Sequence, residues 1–294
     1  MSDTSADDPF VAHRSLLFTV AYEMLGSAAD AEDVVQETWL RWADVDHATV
    51  RDPRAYLVQT VTRQSLNRMR TLSRRREDYV GEWLPEPLLT TPDLAEDVVF
   101  AESVSIAMLT VLETLGPAER AVFVLREVFD AEYDEIADAL EKTPAAVRQI
   151  AHRAREHVAA RRPRVQVSSK EQRSAVELFR SAIETGNLQA LFDVLAPDVV
   201  MVADGGGIPQ AFPRPIFGAD NVARVLSRYP SATAGAPIEA VLLNGSLALR
   251  VDPQGEFNTT VSIVVDGGLI THIYAVRNPN KLSRLGEPTR LSRT

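Results

Sequence analysis

The chain has 294 residues, a net charge of −10 and no cysteine. This length predicts two or three domains, and the absence of cysteine excludes disulfides and thiolate metal sites; we expect no metal or other cofactor. The acidic, polar start of the chain is unlike a signal peptide, and no apolar run approaches the roughly 20 residues that cross a bilayer. We therefore predict a cytoplasmic protein without membrane contact.

Charge is distributed in blocks along the chain. Eight arginines and one acid lie between Arg51 and Arg76, whereas ten acids and no Lys or Arg lie between Glu77 and Glu119. Seven basic residues and two acids follow between Leu140 and Arg164. Because phosphate contacts need Lys and Arg, the two basic blocks suit nucleic acid despite the acidic total.

The first segment, residues 8–73, is predicted to form an all-α domain. An apolar stripe leads to a stop at Gly26, and Ser27 with Asp30 resembles a capping box that opens a second helix. After a polar loop over 43–51, proline follows an acidic cap at Asp52-Pro53 and starts a third helix. The second helix carries Asp33, Gln36 and Glu37 beside Trp39 and Trp42, a face that suits a protein partner.

A linker over residues 74–98 follows, and its sequence GEWLPEPLLTTPDLAED over 81–97 is acidic and rich in proline. The prolines exclude a continuous helix there. Helical periodicity resumes near Leu94 and predicts one helix to Leu115, with a break at Gly116-Pro117 and a second helix to Phe129.

Residues 99–163 are predicted to form a second all-α domain that contains a helix-turn-helix. A short amphipathic helix from Tyr133 is followed by a turn at Glu141-Lys142, and Thr143 with Pro144 starts the next helix. In such a motif the second helix enters the major groove. At the start of this helix, the residues expected at the bases are Thr143, Ala145, Ala146, Arg148 and Gln149, of which the alanines are small enough for close approach. The residues expected to contact phosphate are Lys142, Arg153 and Arg155. A plain helical hairpin with a solvated charged face would show the same pattern.

Residues 168–285 are predicted to form an α+β domain. Helices near 171–185, 188–195 and 220–229 accompany strand patterns at 199–203, 238–243, 247–251, 257–265 and 269–276. Asn244-Gly245 and Asp266-Gly267-Gly268 are hairpin turns, so we expect an antiparallel meander.

Two motifs resemble the extracytoplasmic-function (ECF) sigma factors of bacterial RNA polymerase. DAEDVVQETWLRW at 30–42 is similar to their region 2, and YDEIADALEKTPAAVRQIAHRAR at 133–155 is similar to their region 4. The sequences WLPEP at 83–87, DGGG at 204–207 and NPNKL at 278–282 resemble the sigma factor J-like subgroup, which has a SnoaL-like (NTF2-like) cone as a C-terminal extension. That subgroup has motifs close to DGGGK and NPDKL, from which Ile208 and Asn280 depart.

The resemblance implies a sigma factor that binds core RNA polymerase, recognises the minus-ten and minus-thirty-five promoter elements and initiates transcription, without enzymatic activity. Asp33, Gln36, Glu37 and Trp39 would face the polymerase. The loop over 43–51 and the third helix, through Arg54, Arg63, Asn67, Arg68 and Arg70, would engage the minus-ten element, while the helix from Pro144 would read the minus-thirty-five element.

The resemblance also implies a regulatory C-terminal domain. Its motif residues are Trp83, Leu84, Pro85, Glu86, Pro87, Asp204, Gly205, Gly206, Gly207, Asn278, Pro279, Asn280 and Lys281. We expect the domain to set the placement of the two DNA-binding domains by contacting the acidic linker near Trp83 and the region-2 domain, with Trp83 as a buried anchor. The linker acids would mimic phosphate against the arginines in the free protein.

An alternative interpretation makes the C-terminal domain a small-molecule-binding or isomerase-like module attached to a DNA-binding regulator. A general base and a proton partner would then be drawn from Asp198, Asp204, His272 and Tyr274. His272 and Tyr274 are two residues apart and so share a strand face. A lone histidine beside a core tyrosine fits the same spacing.

Overall fold

The computed structural model describes residues 8–77, 79–162, 168–207, 212–233 and 235–293, with the side chains of residues 73–77, 169 and 232 outside that description. Ile208 and the side chains of Arg74 to Arg76 therefore lie outside the described residues. The chain divides into two compact units. We call Met1–Glu77, Met108–Arg162 and Arg290–Thr294 the helical unit, and Asp78–Ala107 and Pro163–Thr289 the sheet unit.

The helical unit begins with three helices that pack pairwise: α1 (Pro9–Leu25), α2 (Ala28–Ala43) and α3 (Pro53–Glu77). Asp8 caps α1, and Gly26 ends it in a left-handed conformation. The Ser27 hydroxyl accepts the Asp30 N–H at 3.2 Å, which confirms the predicted start of α2.

One residue of the predicted partner face is instead part of the core. Trp42 is 1% exposed, its ring stacks on His47 and its indole N–H donates to Asp8 at 3.0 Å. The expected partner-facing role of Trp42 is therefore wrong, because it lies on the side of α2 that turns inward, while Trp39 remains 45% exposed.

The segment between the linker and the helix-turn-helix is more broken than predicted. In place of one helix, three short helices form: α4 (Pro92–Glu96), α5 (Val98–Ser103) and α6 (Ile106–Leu112). The Asp97 carboxylate accepts the Phe100 N–H and so restarts the chain as α5. Helix α7 (Pro117–Phe123) continues as a π-helical turn over Val124–Val128.

The helix-turn-helix comprises α8 (Tyr133–Leu140) and α9 (Pro144–Arg161). Glu141 adopts a left-handed conformation at the end of α8, and the Thr143 hydroxyl accepts the Ala146 N–H at 3.2 Å to cap α9. Both ends match the predicted turn and cap, because the signals that define them are local in sequence.

The sheet unit holds a six-stranded sheet in the order β2-β1-β6-β5-β4-β3. The strands are β1 (Leu195–Asp204), β2 (Ile216–Phe217), β3 (Ile238–Leu243), β4 (Ser246–Val251), β5 (Thr259–Asp266) and β6 (Leu269–Val276). The helices are α10 (Ser169–Thr185), α11 (Leu188–Val194), α12 (Ala219–Leu226), α13 (Tyr229–Ala232) and α14 (Pro279–Leu282). Strands β3 to β6 form the expected meander, but β1 pairs parallel to β6, so the sheet is mixed.

The sheet has an apolar core on each face. On the inner face, the helices pack over a core that includes Phe179, Leu191 and Val222. On the opposite face, which we call the outer face, Leu84 of the linker joins Leu243, Tyr274, Val276 and Leu282. The predicted order of two helical regions and an α+β domain is confirmed, and the linker forms part of the α+β domain's second core.

Candidate nucleic-acid interface and linker-docking site

Helix α2 presents a mixed polar and aromatic surface. Asp33, Gln36, Glu37 and Trp39 are all exposed on it. Leu40 is also 53% exposed beside Trp39, so the surface includes two large apolar side chains. An exposed apolar pair rimmed by charge is typical of a protein-protein contact.

Two of the arginines predicted to contact DNA in α3, Arg63 and Arg68, have partners on other helices of the helical unit. Arg68 bridges Asp30 and Asp33 of α2, with N–O distances of 2.7 and 2.8 Å. Arg63 donates to the main-chain carbonyls of Asp138 and Ala139 at 2.7 and 3.1 Å, at the C-terminal end of α8. A cation at that end also interacts favourably with the helix dipole. Arg54, Asn67 and Arg70 are exposed on α3.

A cavity of about 440 Å³ lies between the predicted minus-ten loop and α8. Arg51, Tyr56 and Gln59 line one side of it, and Glu135 and Asp138 line the other. The acids that oppose this arginine thus come from the first helix of the helix-turn-helix. The expectation that linker acids mimic phosphate is not met by Glu86, because its side chain is buried within the sheet unit.

Helix α9 carries its predicted DNA-contacting residues outward. Ala145, Arg148, Gln149 and Arg153 are exposed, while Val147 and Ile150 are buried on the opposite side. Ala146 is half-buried, and Lys142 and Thr143 are exposed at the turn. Arg155 is held at the base of the motif by Glu127 and the Tyr133 hydroxyl, both at 2.8 Å.

Regions on either side of the linker are joined inside the helical unit. Arg120 of α7 is 1% exposed and donates to the Glu23 carbonyl of α1 at 2.9 Å, and it also pairs with Glu113. Burial lowers the pKa of Arg120 to about 9. Together with Arg63, Arg120 holds α7 and α8 against α1 and α3.

The motif that contains Asp204 meets the motif that contains Lys281 at one edge of the sheet. Parallel strands end at the same edge, and β1 ends at Asp204 beside Val276 at the end of β6. The Asp204 carbonyl accepts the N–H groups of Arg277 and Asn278 at 2.7 and 3.1 Å. The antiparallel arrangement expected from the sequence would not have brought these strand ends together.

The Asp204 carboxylate is fully buried and binds the linker. It accepts hydrogen bonds from the Tyr79 hydroxyl at 2.5 Å, the Leu84 N–H at 2.8 Å and the Gly206 N–H at 3.1 Å. Lys281 forms an ion pair with it at 2.6 Å. Burial and the bond to Asp204 raise the pKa of Tyr79, so this phenol remains a neutral donor at physiological pH.

Lys281 also contacts the linker directly. Its ammonium donates to the Leu84 carbonyl at 2.5 Å and lies 3.9 Å from the centroid of the Trp83 ring. Trp83 is half-buried whereas Leu84 is 1% exposed. The buried anchor is therefore Leu84 and not Trp83 as expected, and the Trp83 ring instead packs on the ammonium.

The glycine-rich turn approaches Asn278 closely. Gly206 has φ +60°, and a Cβ there would lie 2.6 Å from the Asn278 amide. That amide donates to the Tyr79 hydroxyl at 2.8 Å, and its oxygen caps the short helix α14 through the Asn280 N–H. The Asn280 side chain is exposed, as is Pro279.

A second docking point was not recognised from the sequence, where Asn244-Gly245 is simply a hairpin turn. The Asn244 side chain is fully buried, accepts the Leu88 N–H and donates to the Val104 carbonyl, both at 2.9 Å. The Gly245 N–H donates to the Thr90 hydroxyl at 3.0 Å. The sequence signal at this docking point is the turn dipeptide Asn244-Gly245, which also occurs in hairpins that bind no other segment.

The four groups proposed for catalysis have different surroundings. Asp204 is engaged by four donors, and Asp198 is exposed. The His272 and Tyr274 rings stack on the outer face at 6.1 Å, and burial lowers the pKa of His272 although Asp198 opposes this. Among the described residues, no His, Asp and Glu cluster fits a metal ion, and no helix has the length and apolarity to span a membrane.

Comparisons with known proteins match the two helical parts to sigma factors. Residues 10–75 match the family Sigma-70 region 2, and residues 105–158 match Sigma-70, region 4. The chain is 35% identical over 289 residues to the ECF RNA polymerase sigma factor SigJ of Mycobacterium tuberculosis (strain ATCC 25618 / H37Rv), covering 93% of this chain and 92% of that protein.

Two further similarities extend over nearly the whole chain. A probable ECF RNA polymerase sigma factor, SigI of Mycobacterium tuberculosis (strain CDC 1551 / Oshkosh), is 30% identical over 286 residues, with 93% of each chain covered. The crystal structure of Mycobacterium tuberculosis SigJ superposes with a TM-score of 0.76 at 33% identity, covering 94% of this chain and 98% of that chain.

Proposed function

The chain belongs to the ECF RNA polymerase sigma factors, and we propose that its C-terminal domain controls this activity in cis by holding the linker between regions 2 and 4. As a member of the family, it binds core RNA polymerase and promoter DNA and functions in transcription initiation. Because polymerase and chromosome share the bacterial cytoplasm, we propose that it acts there.

The observation that carries this proposal is the burial of the linker in the sheet unit. Leu84 and Leu88 are 1% and 2% exposed, and the backbone around them bonds to Asp204, Lys281 and Asn244. Fully burying a leucine side chain contributes about 1.5–3 kcal/mol. The linker is thus a structural part of the sheet unit, which supports the proposal that a change releasing it from that unit would alter the connection between the two promoter-reading regions.

Roles within the helical unit follow the same proposal. The exposed α2 residues Asp33, Gln36, Glu37 and Trp39 contact the polymerase. Helix α3 and the preceding loop engage the minus-ten element, for which Arg63 and Arg68 must exchange their present partners for DNA. Helix α9 reads the minus-thirty-five element through Arg148 and Gln149, with phosphate contacts from Lys142 and Arg153.

Transcription in vitro with core polymerase tests the proposal. The full chain is compared with a chain that ends at Arg164 on genomic fragments that include the protein's own upstream region. We expect the truncation to change promoter-dependent output while polymerase binding persists. Equal output from both forms would exclude control in cis, and no output from either would contradict the assigned promoter activity.

A further inference from the structure

A cavity of about 240 Å³ lies on the outer face of the sheet, within the sheet unit. Strands β3 to β6 form its floor. The segment over residues 95–107, which follows the docked linker, covers it together with Gln172 and Arg173 of α10. Two of its lining residues, Val264 and Tyr274, belong to the core on the outer face. Small-molecule sites are concave and largely apolar, with a few polar groups that fix orientation.

The strands that form the floor contribute three hydroxyl groups to this cavity. Tyr274 on β6 is directly opposite Ser262 on β5 in the strand register, and Ser246 contributes from β4. The Tyr274 side chain is 95% buried, since 5% remains exposed. Within the part of the chain that the structure describes, the hydroxyls of Tyr274, Ser262 and Ser246 have no hydrogen-bond partner. Ser246 and Ser262 are half-buried, so these hydroxyls can donate hydrogen bonds to an acceptor on a ligand in the cavity.

The floor of the cavity is uncharged. The charged side chains among the lining residues are Glu102 and Arg173, and both come from helices. Burial raises the pKa of Tyr274 to about 12, which keeps the phenol a neutral hydrogen-bond donor. An ion on this floor would lose its hydration without gaining a counter-charge, whereas a neutral ligand with a hydrogen-bond acceptor would not.

We propose that this cavity binds small, uncharged and mainly apolar molecules that carry a carbonyl acceptor, and that binding stabilises the docked linker. The second part rests on the proposed control in cis. The covering segment is present while Asn244 holds the Val104 carbonyl and Gly245 lies against Ala101. A ligand that binds this state alone shifts the equilibrium toward it by mass action.

Fluorine NMR titration of the full chain with para-fluoroacetophenone tests the site. We expect saturable binding that Tyr274→Phe weakens by about two- to tenfold, the range for loss of one hydrogen bond. Ser262→Leu, which places bulk in the cavity, should abolish it. Tyr229→Phe is the matched control, because the Tyr229 hydroxyl donates to the Ala236 carbonyl and does not line the cavity.

Two analogues test the ligand class. Para-fluoroethylbenzene lacks the acceptor and para-fluorobenzoate carries a charge, so both should bind more weakly than the ketone. Absence of saturable binding by the ketone, or binding that neither Tyr274→Phe nor Ser262→Leu changes, would overturn the site. Preference for the benzoate would overturn the proposed class.

Hydrogen exchange of residues 95–107 in the wild-type chain tests the coupling and needs no variant. Saturating ketone should slow exchange there and leave exchange in α2 unchanged. Unchanged exchange with bound ketone would overturn the coupling alone, because binding would still establish the site. Unchanged hydrogen exchange would leave the proposed control in cis untouched. That control is tested separately, without ligand, by transcription with the chain that ends at Arg164.

Discussion

The Asp204 carboxylate shows how a single residue connects three parts of the sheet unit. Its four donors come from the linker, from its own glycine turn and from α14. A buried carboxylate is tolerated only when paired and hydrogen-bonded, so the arrangement depends on every donor segment being in place. The docking of the linker is therefore sensitive to changes at individual side chains.

Lys281→Ala would leave this carboxylate buried without its cation. Removing one partner of a buried pair costs about 3–5 kcal/mol, so we expect a decrease of that order in the free energy of unfolding of the sheet unit. Urea denaturation measures this, and faster hydrogen exchange over residues 79–90 would locate it. Asn280→Ala is the control, because this neighbouring side chain is exposed. Equal stability of the two variants would contradict the role given to Lys281.

Leu84 and Trp83 are adjacent but contribute differently. Leu84→Ala should destabilise the docked linker by about 2–5 kcal/mol, as for other leucines in a core. Trp83→Ala removes a cation–π contact with Lys281, worth about 0.5–2 kcal/mol, from a half-exposed position. Exchange rates of the linker amides should therefore rise more for Leu84→Ala, and the reverse order would restore Trp83 as the main anchor. Trp83→Phe keeps a ring over the ammonium and should lie close to wild type.

Elements differ in how far they could be predicted. The helix-turn-helix was predicted closely because its determinants, Thr143 and Pro144, act on neighbouring backbone groups. The prediction of a single helix over 94–115 was wrong. Its residues Val104 and Ala101 contact Asn244 and Gly245, more than 100 positions away, and such contacts give no signal in the local sequence. The parallel pairing of β1 with β6 likewise depends on contacts between strands that are distant in sequence, so the sequence near either strand does not indicate it.

A substitution at Gly245 would test whether α5 must pack closely against the sheet. It has φ +73°, and a Cβ there would lie 2.7 Å from the Ala101 Cβ and 2.8 Å from its Cα. Gly245→Ala should displace α5 and accelerate hydrogen exchange over residues 97–104. Gly267→Ala is the control, because Gly267 also has a positive φ, +56°, but has no atom within 4 Å of the added Cβ. If both variants behave alike, backbone strain alone explains the effect, and close packing does not.

On the scale of the whole molecule, the free chain and a promoter-bound chain require different arrangements of regions 2 and 4. In the helical unit, α3 contacts α8 directly through Arg63. The two promoter elements are separated by about 25 base pairs, or about 85 Å at 3.4 Å each. The 29 residues between the matched regions, 76–104, extend to at most about 95–105 Å. We therefore expect part of the docked linker to leave the sheet when regions 2 and 4 separate on the promoter.

Spin labels can measure this separation, because the chain has no cysteine and accepts labels at introduced sites alone. The labels are placed at Thr71→Cys in α3 and Asp134→Cys in α8. Both residues are exposed, and neither side chain is among those assigned to DNA or polymerase. We expect the distance between them to increase by several tens of ångströms when the labelled chain enters a promoter complex with core polymerase. Ala12→Cys with Thr71→Cys is the control within region 2 and should not change. An unchanged α3–α8 distance in a transcribing complex would mean that the two regions read DNA without separating, and that linker release has no part in initiation.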